Sequence, residues 1–185
     1  VIGDGTAVLI HDSSLDRTTN CRGRYNELTA SDLPTIDAGR WFSSQFAGEP
    51  LPRLADLIDF MNETGLNANI EIKSNEEGAR MSPQLRDSLL AALERLISGR
   101  QVIVSSFNHV LLSKFKEAAP QWDVACLYET AALYDDWRSM LELVGATYIH
   151  PEDSALTERS VARFKEAGFR VNAWTLIRGR LYTSP

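Results

Sequence analysis

Only two cysteines occur in the 185 residues, Cys21 and Cys126, and they lie far apart. They make neither a disulfide framework nor a metal-ligand spacing, so they read as two reduced thiols. Basic residues are in the minority, 19 Lys and Arg against 25 Asp and Glu, for a net charge of −6. That balance excludes a generic nucleic-acid coat, because phosphate backbones need basic surfaces, yet it leaves room for a local anion site. No apolar run approaches the roughly 18 residues of a membrane span, so no integral membrane segment is expected. No Gly-x-Gly-x-x-Gly follows an apolar strand segment, which argues against dinucleotide binding. Internal repeats and low-complexity linkers are also missing, so residues 1–185 read as a single domain. What remains is ordinary globular composition, 44% hydrophobic and 24% charged, in a chain long enough for a sizeable core.

The chain begins at Val1, inside a hairpin signal: Asp4-Gly5 sits between Val1-Ile2 and the run Ala7 to Ile10. A natural terminus rarely falls inside such a unit, so a fragment is expected. Asp12 to Pro52 is polar and rich in turn residues. Leu54 to Thr64 then has a helical apolar face of Leu54, Leu57, Ile58 and Met61, with Gly65 as its stop. Ala68 to Ile72 reads as a strand, and Pro83 to Ser98 as a helix capped by Ser82. The same alternation continues as strand Val102 to Val104, helix Asn108 to Ala119 and strand Val124 to Tyr128. After these come helix Leu133 to Val144, strand Thr147 to His150, a Thr157-capped helix to Ala167, and strand Arg170 to Trp174. Strands alternating with amphipathic helices predict a parallel α/β sheet of five strands with right-handed crossovers. An open sheet and part of a closed barrel both fit that count.

In such folds, sites gather at the carboxyl ends of the strands. Several of these ends are polar: His11-Asp12, Glu71-Ile72-Lys73, Ser105-Ser106-Phe107, His150 and Trp174-Thr175. Period-two geometry puts Glu71 and Lys73 on one face and Ile70 and Ile72 on the other. A carboxylate and an ammonium side by side can hold a divalent cation and an anionic oxygen, or can simply pair with each other. His11 is the best-placed acid/base, with Asp12 to orient it or to cap the next turn. His109 reads as solvent-exposed, and His150 as a strand end with nothing beside it that demands chemistry. Arg17-Thr18-Thr19 could contact phosphate, but reads better as a hydrogen-bonded loop. Trp174 is either a wall of a substrate pocket or a lid on the core. Asp135-Asp136-Trp137-Arg138 reads as a solvated helix face.

Taken together, the segments resemble the glycerophosphodiester phosphodiesterase family, in its bacterial, cytosolic form. The resemblance runs in order through Asp4-Gly5, Val8-Leu9-Ile10-His11-Asp12 and Leu15-Asp16-Arg17-Thr18-Thr19-Asn20. It continues through Asp37-Ala38-Gly39, Gly48-Glu49-Pro50, Leu51-Pro52-Arg53-Leu54, Asn69-Ile70-Glu71-Ile72-Lys73, Ser105-Ser106-Phe107 and Ala173-Trp174-Thr175. It implies a (β/α)8 TIM barrel, incomplete here for want of the first two strands and the last. It further implies a cytoplasmic location and metal-dependent hydrolysis of a small glycerophosphodiester, such as glycerophosphocholine, to glycerol 3-phosphate and an alcohol. By the same resemblance His11 is one of two acid/base histidines. Glu71 is one of three carboxylates that hold Mg2+ or Ca2+, and Lys73 assists at the phosphate.

The sequence departs from that pattern in three places. The family's His-Arg-Gly and Glu-x-Asp motifs are absent. Cys21 stands where the family usually has Gly, a strained choice if that turn needs a positive φ. Leu176 to Pro185 does not continue the expected helix and strand, and 185 residues is short against the ~250 typical of such a barrel. Three rival expectations therefore stand beside an active parent enzyme. They are a catalytically dead fragment, a non-enzymatic binding module, and a phospholipase-D-like lyase acting on sphingomyelin-type lipids.

Overall fold

A computed structural model describes residues 1–74 and 80–175. They group into two compact units, one of Val1–Asn67 with Ser74–Gln101, the other of Ala68–Lys73 with the chain from Val102 onward.

The second unit is the α/β layer. Its strands β1 (Ala68–Glu71), β2 (Val102–Ser106), β3 (Asp123–Tyr128), β4 (Tyr148–Pro151) and β5 (Arg170–Val171) form one sheet in the order β1-β2-β3-β4-β5. Every pairing is parallel, as the alternation of strands and helices predicts. Val124 to Tyr128 is buried throughout, the unbroken apolar run of a strand covered on both faces. Helix α3 (His109–Ala118) is capped by the Asn108 side chain, which accepts from Leu111 N at 3.0 Å. Helix α5 (Glu158–Glu166) starts at Thr157 as expected, with Ser160 N donating to its hydroxyl at 3.1 Å. Helix α4 (Trp137–Val144) begins four residues later than the apolar pattern suggested, because Thr130–Ala132 forms a separate short turn. The expected solvated face at its start is only half correct. Asp135, Asp136 and Arg138 are exposed, whereas Trp137 is buried edge-to-face against Phe164 and Phe169. The last strand is also shorter than expected. Regular pairing ends at Val171, and Trp174 rejoins the sheet only through an isolated parallel bridge to Glu152. Leu176 to Pro185 lies outside the described residues.

In the first unit α1 (Leu54–Thr64) matches its sequence pattern, with Leu54, Ile58 and Met61 buried and Gly65 left-handed at φ 82°. Helix α2 (Met81–Leu93) starts before Ser82, which therefore does not cap it. Pro83 falls in the first turn, where a missing N–H costs nothing. The helix stops short of Ser98 because α1 claims the backbone that follows it. Asn62 Nδ2 donates to Arg95 O at 3.0 Å, and Ile97 N donates to Asn62 Oδ1 at 3.1 Å.

The expected N-terminal hairpin does not form. Asp4-Gly5 does turn, with Ile2 N donating to Thr6 O at 2.9 Å, but Gly3 N is taken by Leu28 O and Val8 pairs with Arg53 instead. Ile2 thus joins Leu15, Tyr25, Leu33, Ile36 and Leu51 in a core of its own. The polar stretch after Asp12 is shaped by the Asp37 carboxylate, which accepts from the N–H groups of Gly39 (3.1 Å), Arg40 (2.9 Å) and Gly48 (2.9 Å). These bonds, the one from Arg40 N–H foremost, hold the Asp37 carboxyl well below the usual carboxylate range. They fold residues 37–48 into a closed loop, in which a Cβ on Gly39 would strike the Phe46 carbonyl. Gly39→Ala is expected to cost roughly 2–4 kcal/mol in urea unfolding, and a loss below about 0.5 kcal/mol would show that the loop yields freely.

Candidate active site

The second unit places three of the sequence-assigned residues at the carboxyl ends of its strands, Glu71 and Lys73 at the end of β1 and Trp174 beyond β5. Glu71 opposes Ser105 in the β1–β2 ladder, and Ile72 N continues it by donating to Ser105 O at 2.8 Å. This extended backbone produces the expected alternation. Ile70 and Ile72 are buried, while the Glu71 and Lys73 side chains remain 27% and 38% exposed, with Lys73 Nζ 3.7 Å from Glu71 Oε1. The pair is partly solvated and long, so its net contribution to stability is small.

Two residues to which sequence reasoning assigned no role support this strand end. Asn69, two before Glu71 on the same face, donates from Nδ2 to Ser105 Oγ at 3.0 Å. The buried Ser106 hydroxyl donates to Ile72 O at 2.7 Å and accepts from Asn108 N at 3.0 Å, fixing the end of β1 to the start of α3. The period of two counted back from Glu71 was the available signal for Asn69. Ser106 was marked only as part of the polar strand end Ser105-Ser106-Phe107; its partner Ile72, 34 positions away, was not legible.

Trp174 is half-buried, its ring edge-to-face with Phe107 at 5.4 Å and its Nε1 donating to His150 O at 3.0 Å. It thus covers His150 and presents a flank beside Phe107. His150 is 4% exposed, and its Nε2 accepts from Asn172 Nδ2 at 3.1 Å. Burial pushes its pKa down to about 4, so the ring is neutral at physiological pH, with its proton on Nδ1. His109 does not project into solvent as expected. It is half-buried, with Nε2 donating to Leu127 O at 3.0 Å and its ring 4.8 Å from Tyr128. Burial pushes the Cys126 thiol up to about 12, leaving it inert, and both cysteines are free.

His11 belongs to the first unit. It is exposed, and its Nδ1 lies 2.9 Å from Asp12 Oδ1. Asp12 also receives Arg17 through Nε at 2.6 Å and Nη2 at 2.8 Å. The guanidinium first, and the imidazole second, hold the Asp12 carboxyl well below its usual range. An ionised Asp12 can only accept, so His11 Nδ1 donates and the basic nitrogen of the neutral ring is Nε2. Asp12 therefore orients the imidazole. Arg17 to Thr19 form the hydrogen-bonded loop anticipated, with Thr19 Oγ1 donating to Leu15 O at 2.7 Å. No described residue other than glycine has positive φ, so Cys21 carries no strain from replacing Gly.

A divalent cation takes about six or more oxygen ligands. Among the described residues no group of three or more His, Cys, Asp or Glu side chains is placed to hold one. Glu71 supplies a single carboxylate, and Lys73 lies beside it. The described residues alone do not fit a resident cation.

The sequence pattern of the Glycerophosphoryl diester phosphodiesterase family matches residues 3–178. A glycerophosphodiester phosphodiesterase of Caldanaerobacter subterraneus is 33% identical over 95% of this chain and 70% of its own length. One from Bacillus subtilis is 27% identical over 94% of the chain and 63% of its own length, so the chain spans about two thirds of these relatives. Among solved structures, an Oleispira antarctica phosphodiesterase in complex with the product sn-glycerol-3-phosphate superposes with a TM-score of 0.88 at 26% identity. That match covers 95% of this chain and 70% of the other. The five parallel strands are those of a partial TIM barrel, the fold of these structural relatives.

The neutral state of His150 has a pH signature. Its pKa is depressed in the folded chain relative to the ordinary ~6.5, so its stabilisation is complete above that value and lost as pH falls toward 4. Between pH 7 and 4.5 the wild type is expected to lose on the order of 2–3 kcal/mol more in urea unfolding than His150→Gln, and parallel losses would show that the buried ring does not matter.

Proposed function

The chain belongs to the glycerophosphoryl diester phosphodiesterase family, a family of phosphoric diester hydrolases, and on that footing we propose that its residues serve hydrolysis of a glycerophosphodiester to sn-glycerol 3-phosphate and an alcohol. The observation that carries the reading is the Glu71–Lys73 couple. It is two charges on one exposed face, at the carboxyl end of a parallel strand, in a pairing too long and too wet to be explained by stability. Lys73 is the proposed phosphate-binding group, a point charge that offsets the negative charge on the phosphoryl oxygens. It also supplies local attraction within a chain of net charge −6, which would otherwise repel an anionic substrate. His11 is the proposed acid/base. Its Nε2 carries one of the two proton transfers, taking a proton from the attacking water, while Asp12 holds the ring in the required tautomer; the departing alkoxide takes its proton from the second acid/base histidine that the family resemblance implies. Trp174 is the proposed wall against the substrate, supported by its flank beside Phe107.

Divalent-metal dependence is general in the family. Glu71 is the proposed ligand in this chain, with Mg2+ or Ca2+ as the ion. One carboxylate does not complete a cation site, so no step is assigned through the metal. The same observation favours a second reading, in which the 185-residue chain binds a phosphodiester without turning it over.

Incubation of the chain with glycerophosphocholine and Mg2+ or Ca2+ separates the two. Under the first reading sn-glycerol 3-phosphate is released, and His11→Ala and Lys73→Met each lower the rate by about 100-fold or more. Under the second, calorimetry detects Lys73-dependent binding with no release. A cyclic phosphate product, or neither binding nor release, would overturn both.

A further inference from the structure

Away from Glu71 and Lys73, the second unit contains a pocket of about 430 Å³ beyond the carboxyl ends of β2 and β3, and its chemistry is unlike theirs. Its aromatic lining comes from Phe107, His109, Tyr128 and Tyr134. Phe107 and Tyr134 are 43% and 69% exposed, so both present ring surface to an incoming group. The lining also holds two carboxylates, Glu129 and Asp136, and no Lys or Arg. Among the described residues neither carboxylate is in an ion pair, whereas Asp12, Asp37, Asp59, Glu117 and Glu142 all are. His109 adds no positive charge at neutral pH, because burial lowers its pKa and its Nε2 proton is committed to the Leu127 carbonyl. Tyr128 is only 5% exposed, and its hydroxyl has no hydrogen-bond partner among the described residues. Two other pockets among the described residues differ in charge. The 340 Å³ pocket of the first unit has Arg53 and Arg95 in its lining, and the 350 Å³ pocket beside α4 balances Arg138 and Arg163 with Asp135 and Glu166.

From this juxtaposition we infer that the pocket between Phe107, Tyr134, Glu129 and Asp136 binds an organic ammonium group. Aromatic faces attract a cation through their quadrupole, and attract it most when it is weakly hydrated, as an alkylated ammonium is. Two carboxylates without an ion-pair partner among the described residues add a field of one sign that no Lys or Arg of the lining cancels. A neutral alcohol can hydrogen-bond a carboxylate through its O–H but gains neither the charge attraction nor the cation–π term, and an anion is repelled.

Phe107 links this pocket to the site already described, since its ring also meets Trp174 at 5.4 Å. Resting on the proposed hydrolysis, the ammonium would then be that of the alcohol half of the diester, which makes the pocket a determinant of head-group choice. The binding site itself does not depend on that hydrolysis and is tested without it.

The probe is tetramethylammonium chloride, titrated into the full chain by calorimetry at low salt, with 3,3-dimethylbutanol as an uncharged ligand of similar shape to choline. The expected result is saturable binding of tetramethylammonium. It should weaken by about tenfold in Tyr134→Ala and in the double variant Glu129→Gln/Asp136→Asn, with little binding of the neutral alcohol. Because all three altered residues are exposed, these changes leave the core intact. Absence of saturable binding, equal binding of the neutral alcohol, or unchanged affinity in both variants would overturn the site. In a second arm, glycerophosphocholine is compared with glycerophosphoglycerol as a competitor of bound tetramethylammonium. Stronger competition by glycerophosphocholine supports the head-group assignment, and equal competition overturns that assignment while leaving the ammonium site in place.

Discussion

The β1–β2 register decides what this strand end can do. Glu71 opposes Ser105, and Ile72 N continues the ladder to the same residue. Because strand side chains alternate, a slip of one position would bury Glu71 and Lys73 and expose Ile70 and Ile72. The two isoleucines make that slip costly, since each would lose roughly 1.5–3 kcal/mol of burial. Ser106 locks the same register from the other side through Ile72 O and Asn108 N. The apolar half of the strand therefore fixes the position of its charged half, and the core determines where a phosphate could be met.

Local charge matters more than the total. A net charge of −6 would keep anions away from an evenly charged surface. Two of the carboxylates are instead committed to shaping loops. Asp12 holds His11 and Arg17, and Asp37 gathers the N–H groups of residues 39, 40 and 48. Both are held ionised by these partners. At the strand ends of the second unit, Lys73 offers a cation beside Glu71, while Glu129 and Asp136 offer negative charge beside aromatic rings. A substrate with a phosphate and an ammonium would find complementary groups on the same layer of the fold.

Much of the α/β layer was legible in the sequence because apolar periodicity there is dictated by burial. The run from Val124 to Tyr128 and the Thr157 cap could hardly be read otherwise, and the same holds for the face of α1 in the first unit. The errors fall where a distant partner overrides a local signal. Asp4-Gly5 turns as its chemistry demands, yet Leu28 and Arg53, not the adjoining segment, take the pairing positions. Asn62 ends α2 early from 33 positions away in the chain. Trp137 sits among charges in sequence and is buried by Phe164 and Phe169 in space. The site residues follow the same division. The shared face of Glu71 and Lys73 was legible from alternation, and the His11–Asp12 contact from adjacency. Ser106, Asn172 and the aromatic pocket needed the fold to assemble them.

The most direct test is whether Lys73 meets the phosphate. In a titration of the full chain with sn-glycerol 3-phosphate followed by side-chain-resolved NMR, the Lys73 Nζ resonance is expected to shift and saturate. Its dependence on concentration should match that of the backbone amides at the end of β1. Saturable shifts confined to other lysines and arginines, with Lys73 unmoved, would contradict the assignment and reduce the Glu71–Lys73 couple to a surface ion pair.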